Sequence, residues 1–534
     1  MSSVLHGIDR AASQTPQASN AARRSRHCRA WICLAAIAAA PLSGTMSAFG
    51  QPPAPPPVTC DPNAPLPQIE RPSAPTSKDL GSLPPPGGTS GKAADLSALT
   101  PPSSSLQVPS KPEDVAIKTT QSITLDQAID LVQRRNRDLQ IAALQVEQQR
   151  FALRQARASI YPTVSTNAGI TRTDSAQSAI TAKQLGLPNR PNASNNFNGS
   201  VQLNYDVFTS GQRSASIRSA EAALRSSEKA YQTQLRQVRL DVANDYYDLQ
   251  QADESIKIAQ QAVENAEENL RVAQARETAG LGTRFDVLQA QVLLADRRQQ
   301  LIQAQNQQQV SRRQLAQRLT FPETVTVVSA DPVAIVGEWP LSLEDSIVQA
   351  LRTRSELAQV LDQRDIALQN RRVALGSLGP QLTFNANVAL ADDLADNNLG
   401  AYGYGVGAEA SKTIFDGGAA KAIATQQQLN ASIAETQFGS FKNVIRFQVE
   451  QNYYTLQASR ERIGTTRCAI EQAEQGLNLA RLRRDFGVGT SLEVSNATTD
   501  LAQARNNYLS AIVSYNRALS ALRRFVDLPA APQP

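Results

Sequence analysis

The sequence has almost no histidine. Its two histidines, His6 and His27, both lie near the amino terminus, in a stretch that reads as a removable leader. A Ser-His-Asp triad, a His-ligated metal site and a His general base are therefore excluded from the mature chain. Cysteine is scarce too. Of four cysteines, Cys60 and Cys468 follow the leader. Neither has metal-ligand spacing around it, and no disulfide framework is expected. Pro57-Val58-Thr59 precede Cys60, which is not the context of an acylated cysteine. After the first fifty residues no apolar run approaches the roughly 18–20 residues of a spanning helix. Membrane insertion of the mature chain would have to use strands. The net charge is only +5. No Lys/Arg run is interleaved with aromatics, so nucleic acid is not an expected partner.

The leader carries Arg23, Arg24, Arg26 and Arg29, then an apolar core from Trp31 to Pro41. Ala48-Phe49-Gly50 is a small-x-small cleavage site before Gln51. Residues 51–121 are rich in Pro, Ser and Gly. Such a composition cannot bury a core and reads as a spacer without fixed structure.

The remainder is an internal duplication. Leu125 answers Leu343 and Pro162 answers Pro380, both at an offset of 218 (343 − 125). Further along, Phe208 answers Phe415, Tyr246-Tyr247 answer Tyr453-Tyr454, and Pro322 answers Pro529, all at 207 (453 − 246). The drop of 11 (218 − 207) places a longer loop in the first copy, between the proline and phenylalanine landmarks. The chain then divides into a leader 1–50, a Pro-rich segment 51–121, a first repeat 122–322, a linker 323–339, a second repeat 340–529 and a tail 530–534.

Each repeat holds, in order, a short helix, two strands, a long helix, a tight turn and a short helix. Val201, Leu203, Tyr205 and Val207 alternate with polar residues, as do Leu382, Phe384, Ala386, Val388 and Leu390. Val164–Ile170 and Tyr402–Ala408 alternate in the same way. One apolar and one polar face fit a half-buried sheet or a barrel wall between lipid and water. Helices are expected over 124–160, 212–278 and 284–319. In the long one Leu235, Val242, Leu249, Ile256, Val263 and Leu270 recur every seventh residue. A second row, Tyr231 to Ala273, is broken only at Asp245. Val449, Leu456, Ile463, Ile470 and Leu477 keep the seven-residue period in the second copy.

No constellation for chemistry is present, so no catalytic residue, metal or cofactor is assigned. Glu267-Glu268 read as a solvated helical face. The pattern that stands out is the helix–helix turn. It runs Arg276 to Leu288 in the first repeat and Arg483 to Ser495 in the second. Gly280 and Gly487 let the chain reverse. Thr283 and Thr490 are placed to cap the next helix, with Asp286 and Glu493 three residues on as capping-box partners. Capping does not account for the apolar-Gly-apolar core of both turns.

On these marks residues 122–529 resemble the TolC (outer-membrane factor) family. The marks are the duplication, the Leu-x-x-Ala-Ile opening helix, the strand ending in Val-Phe or Ile-Phe before glycine, and the turn motif followed by Asp/Glu-Val. The resemblance implies a mainly α fold with a membrane β-barrel. It implies a homotrimer whose twelve strands close the barrel in outer-membrane lipid and whose helices form a periplasmic tunnel. It further implies the outer-membrane channel of a tripartite efflux pump or type I secretion system, served by a periplasmic adaptor and an inner-membrane transporter. Carried over residue by residue, Ala279, Gly280, Leu281, Phe486, Gly487 and Val488 match the adaptor-contact turns. Glu493 matches the acidic residue of the entrance constriction, while the next ring position falls on Asn496. The family's gating Tyr and Arg fall here on Arg484 and Gly489. From this an Arg484–Asp286 ion pair is expected to hold the two turns together. A cation favoured near a helix C-terminus is the other reading of Arg484, and plain capping is the other reading of Glu493. Two further functions are weighed. A coiled-coil adaptor subunit would need a lipoyl-like domain, which is not visible, and a secreted hydrolase would need a nucleophile elbow, which is absent.

Overall fold

The computed structural model describes residues 108–174, 180–181, 183–186, 193–393 and 400–526. The leader, its cleavage point, most of the Pro-rich segment and the tail lie outside the described residues. In chain order the elements are α1 Pro112–Val115, β1 Thr119–Ile123, α2 Leu125–Arg135, α3 Arg137–Ala158, β2 Thr163–Asp174, β3 Ala193–Phe208, α4 Gln212–Thr278 and α5 Arg284–Arg318. They continue with β4 Val325–Ser329, α6 Leu343–Thr353, α7 Ser355–Gly376, β5 Gln381–Asp393, β6 Ala401–Ser411, α8 Ala419–Asp485 and α9 Ser491–Val526. Among the described residues no helix is long and apolar enough to cross a membrane.

The two long helices, α4 and α8, have 67 residues each, roughly 100 Å at 1.5 Å per residue. Each follows a glycine in the left-handed region, Gly211 at φ 81° and Gly418 at φ 89°. Their heptad rows turn inward. Val242, Leu249, Ile256, Ala252, Ala266 and Ala273 are buried in α4, and Val449, Leu456, Ile463 and Leu477 in α8. Asp245, the break in the second row, is not a gap in the seam. It is buried, ion-paired with Arg318 of α5, and accepts from Gln314 at 2.7 Å. A buried carboxylate is tolerable only with such partners.

The single helix expected over 124–160 is two. Asn136 adopts an extended conformation between α2 and α3, and its side chain accepts from Leu139 N–H at 3.1 Å while donating to Arg318 O at 3.2 Å. An N-cap at this point breaks the helix although the apolar period runs on through it. The second copy breaks in the same place, at Arg354.

The four longer strands form one antiparallel sheet in the order β2-β3-β5-β6. Its register sorts the side chains by polarity. Thr166, Val201, Val388 and Tyr404 lie in one cross-strand row, and Val164, Leu203, Ala386 and Val406 in the next. The opposite face carries rows such as Ser165, Gln202, Asn387 and Gly405. The apolar face is bare in the single chain, with Tyr404 82% and Val406 67% exposed. Among the described residues β2 and β6 each leave one edge without a partner strand. The strand tips explain the offsets. Eighteen residues (175–192) separate β2 from β3 and seven (394–400) separate β5 from β6, a difference of 11. Against the loops expected at Thr171–Asn196 and Asp392–Gly400, strand residues reach to Asp174 and begin again at Ala193 in the first copy, and reach to Asp393 in the second. Most of what lies between the strands falls outside the described residues.

Three features were not expected. The first is a parallel pair, β1 with β4, joining Thr119–Ile123 to Val325–Ser329. It orders the last residues of the segment assigned as unstructured, and it places a strand inside the assigned linker. The second is the core beneath it. Ile123, Val132, Val242, Tyr246, Leu249, Leu315 and Val327 form one buried apolar cluster. Within it the Tyr246 hydroxyl donates to Asp331 Oδ2 at 2.9 Å, and Asp331 N–H donates back to that hydroxyl at 3.2 Å. Leu125 N–H donates to the same carboxylate oxygen at 2.9 Å. Burial pushes the Tyr246 hydroxyl pKa well above its usual range, so it stays a donor. The third is a correction, since Cys468 in α8 is disulfide-bonded. A bond between cysteines far apart in the chain leaves no spacing for a sequence to display.

Tyr246→Phe should lower stability by about 1–3 kcal/mol, because it removes a buried donor and orphans the Asp331 N–H. The Tyr453→Phe substitution in the second repeat should cost much less, since Tyr453 sits partly buried at the edge of the other apolar cluster. Thermal unfolding of the two variants followed side by side checks this. Equal midpoints would reject the role given to the hydroxyl.

Candidate functional site

The carboxyl ends of α4 and α8 reverse by the same device. Leu281 N–H bonds Arg276 O at 2.8 Å and Gly280 N–H bonds Glu277 O at 3.0 Å. In the second copy Val488 N–H bonds Arg483 O at 2.9 Å and Gly487 N–H bonds Arg484 O at 3.0 Å. This pairing of six-to-one and shorter bonds satisfies the last helical carbonyls, and it needs a left-handed residue in the turn. Gly280 (φ 70°) and Gly487 (φ 76°) supply it. A side chain would find open space at either glycine, so the requirement is conformational.

Thr283 and Asp286 form a full capping box at the start of α5. Thr283 N–H donates to Asp286 Oδ2 at 3.0 Å and Asp286 N–H donates to Thr283 Oγ1 at 3.2 Å. The Thr283 hydroxyl also donates to Asp286 at 2.7 Å. These bonds, with the nearby Arg276 charge, hold the Asp286 carboxyl below its usual pKa. The second turn keeps half of the arrangement. Glu493 N–H donates to Thr490 Oγ1 at 3.2 Å, but the Glu493 carboxylate turns to Arg483, 3.4 Å away. Glu493 is therefore more than a cap, and it meets an exposed counterion on its own hairpin.

The apolar residues flanking each glycine are solvent-facing. Leu281 is 72%, Phe486 80% and Val488 70% exposed, and Ala279 is exposed beside them. Phe285, on the first turn of α5, extends the patch.

The expected Arg484–Asp286 pair is not formed. Asp286 is held by the capping box on its own helix. Arg484 is buried between α4 and α8, where Nη1 donates to Asn269 Oδ1 at 3.3 Å and Nη2 to the adjacent Asp485 at 3.0 Å. The link between the two turns is made by a residue not singled out in the sequence. Arg276 donates from Nη1 to Arg484 O at 3.0 Å and from Nη2 to Leu281 O at 3.3 Å. It thus joins the backbone of its own turn to the end of α8. Asn269 was also missed, although its position three residues after Ala266 and four before Ala273 puts a polar side chain on the buried stripe of α4.

Comparison with known proteins follows the same division. A family model described as outer membrane efflux protein matches residues 128–319 and 346–526, one segment in each repeat. The pyoverdine export outer membrane protein OpmQ of Pseudomonas aeruginosa is 26% identical over 392 residues, covering 72% of this chain and 80% of that protein. Protein CyaE of Bordetella pertussis is 29% identical over 358 residues, covering 66% of this chain and 64% of that protein. The crystal structure of the outer membrane protein VceC of Vibrio cholerae superposes with a TM-score of 0.64 at 18% identity, over 75% of this chain and 95% of that one.

The depressed Asp286 pKa fixes a pH dependence. Its contribution is fully present above the unfolded carboxyl value, near 3.8, and is lost as pH falls through the lower folded value. Amide exchange at the start of α5, corrected for intrinsic rates, should therefore accelerate in wild type as pH drops below that range. Asp286→Asn should show the faster exchange already at neutral pH, with little further change on acidification. An Asp286→Asn profile that superposes on wild type would refute the assignment.

Proposed function

The chain belongs to the outer membrane efflux protein family, and on that footing we propose how its two turns work. The protein is an outer-membrane channel-tunnel, with its sheet in the outer membrane and its helices in the periplasm. The family match runs through both repeats, which does not favour an adaptor subunit.

One chain cannot close a pore. Four strands with two open edges would leave backbone donors and acceptors unpaired in lipid, where each costs several kcal/mol. Three copies give twelve strands and remove every edge. The homotrimer supplies the tunnel, and the six turns of its three chains form the periplasmic mouth. There Ala279, Gly280, Leu281, Phe486, Gly487 and Val488 dock on a periplasmic adaptor that connects the channel to an inner-membrane transporter. Small molecules or proteins are the cargo.

The observation that carries the mechanism is the Arg276–Arg484–Asn269 clasp. It ties the α8/α9 hairpin to the α4/α5 hairpin through one backbone carbonyl and one amide oxygen. Both donors are guanidinium groups, so each bond is charge-assisted and contributes about 1.5–3 kcal/mol. A few such bonds per chain keep the mouth narrow and still yield to an adaptor. Asp286 orders the first-repeat turn against which Arg276 is braced. Glu493, with Arg483 beside it, sets the charge of the mouth.

Single-channel recording in planar bilayers at low salt tests the gate. Arg276→Ala and Asn269→Ala should each raise conductance several-fold over wild type. Trivalent cations added from the turn side should block the wild type. Glu493→Gln should weaken that block and Arg483→Gln should strengthen it, because the latter unmasks the carboxylate. Unchanged conductance in both clasp variants would remove the gate. A block indifferent to Glu493 would remove the acidic ring.

A further inference from the structure

At the break between α6 and α7 the helix cap is a cation. Arg354 occupies the N-cap of α7 and makes no capping bond. Its first-repeat counterpart, Asn136 (354 − 136 = 218), caps α3 by accepting from Leu139 N–H. A guanidinium has no acceptor to offer, and here it sits at the positive end of a 22-residue helix. Arg524, near the end of α9, stands at the same junction. The central carbon of each guanidinium lies 5.0 Å from the centre of the Phe525 ring. Arg524 Nη2 donates to Glu356 Oε1, in the first turn of α7, at 2.9 Å.

Both side chains are withdrawn from water, at 5% exposure for Arg354 and 9% for Arg524. Their donors outnumber the acceptors. Arg354 Nη2 donates to Gln448 Oε1 at 3.0 Å. Its Nη1 and Nε have no hydrogen-bond acceptor among the described residues, and neither has Arg524 Nε. Arg354 Nε lies 3.2 Å from Glu356 Oε2 but is not aligned to donate to it. Two guanidiniums therefore share the Glu356 carboxylate. Arg236 of α4 adds its charge nearby and has partners of its own in Thr353 O and Ser355 Oγ. Burial, then the Arg524 charge, push the Arg354 pKa down to about 10, so the group is still charged at neutral pH. A buried charge without full compensation is costly.

The first repeat shows what the second lacks. There Arg318 is ion-paired with Asp241 and Asp245. At the same offset of 207 the second repeat has Gln448 and Asn452 (448 − 241; 452 − 245), with Arg524 in place of Gln317 and Phe525 in place of Arg318. At this level the second copy has one arginine more and two carboxylates fewer. We propose that the N-terminus of α7, together with Arg354 and Arg524, binds one small monovalent anion of the halide class. A halide only accepts, which suits a place where the free groups are N–H donors. One negative charge also matches the excess of two guanidiniums over one carboxylate. Helix N-termini favour anions for the same reason. The site joins α6, α7, α8 and α9 and is independent of the gate at the turns.

The test uses the full-length protein extracted from outer membranes. Crystals soaked in bromide and measured at the bromine absorption edge should show an anomalous peak within hydrogen-bonding reach of Arg354 Nη1. In solution, replacing gluconate by chloride at constant ionic strength should raise the unfolding midpoint of wild type. Gln448→Glu puts a carboxylate where the first repeat has one. It should raise the midpoint in gluconate and abolish the chloride increment. Arg354→Asn, which restores the cap residue of the first repeat, should abolish the increment as well. A junction without a bromide peak would overturn the proposal, and so would a carboxylate from elsewhere in the assembly filling that place. An increment of equal size in wild type and Gln448→Glu would overturn it too, since the chloride would then act elsewhere.

Discussion

A helix of 67 residues standing in water has to be held along its whole length. Propensity alone leaves even a much shorter helix marginal. What holds α4 and α8 is a narrow buried stripe, repeated every seventh residue. In α4 it is mostly alanine toward the turn, with Val, Leu, Ile and Tyr nearer the two-stranded sheet; in α8 alanine lies at the four-stranded end, and Ile445, Val449, Leu456, Ile463 and Leu477 follow toward the turn. Small side chains let the rods approach closely, and large ones fill the wider space where β1, β4 and the short helices join the bundle. Everything else depends on that seam. The hairpins can be clasped at one end, and the sheet carried at the other, only because the rods between them are rigid.

The sheet solves a different problem with the same economy of pattern. Its residues alternate in polarity along each strand, and the antiparallel register aligns that alternation across all four strands. The result is a surface whose two faces want different solvents. No single chain satisfies both the apolar face and the open edges, so the barrel belongs to the assembly. Insertion into lipid is in this sense a property of strand register and copy number, with no apolar segment to announce it.

Sequence patterns repeated within one element were readable. The heptads, the strand alternation, the glycine turns and the length of α4 are written in neighbouring residues, and the duplication shows because the same landmarks recur at a constant offset. Features made by residues far apart were not. β1 is five residues with four exposed side chains, and its partner lies more than 200 positions away. The break at Asn136 was hidden because the apolar period continues through it. At the candidate site, Gly280, Gly487, Thr283 and Asp286 behave as their local chemistry dictates. Arg484 was singled out correctly as a position but given the wrong partner. A capping box satisfies Asp286 within its own turn, and the oxygen that receives Arg484 belongs to Asn269, on the neighbouring rod.

The identical lengths of α4 and α8 make the protein a ruler. The two copies differ by eleven residues at the strand tips yet by none in the long rods, so drift in length has been confined to the end where it does no geometric harm. Adding seven residues to one rod alone would carry its turn about 10 Å past the other. Arg276 and the carbonyl of Arg484 would then be out of reach of each other. The distance from membrane to mouth can change only if both rods, and the shorter helices packed beside them, change together and by whole heptads. The span of the tunnel is thus quantised, and the adaptor proposed for its mouth would work against a fixed standard of length.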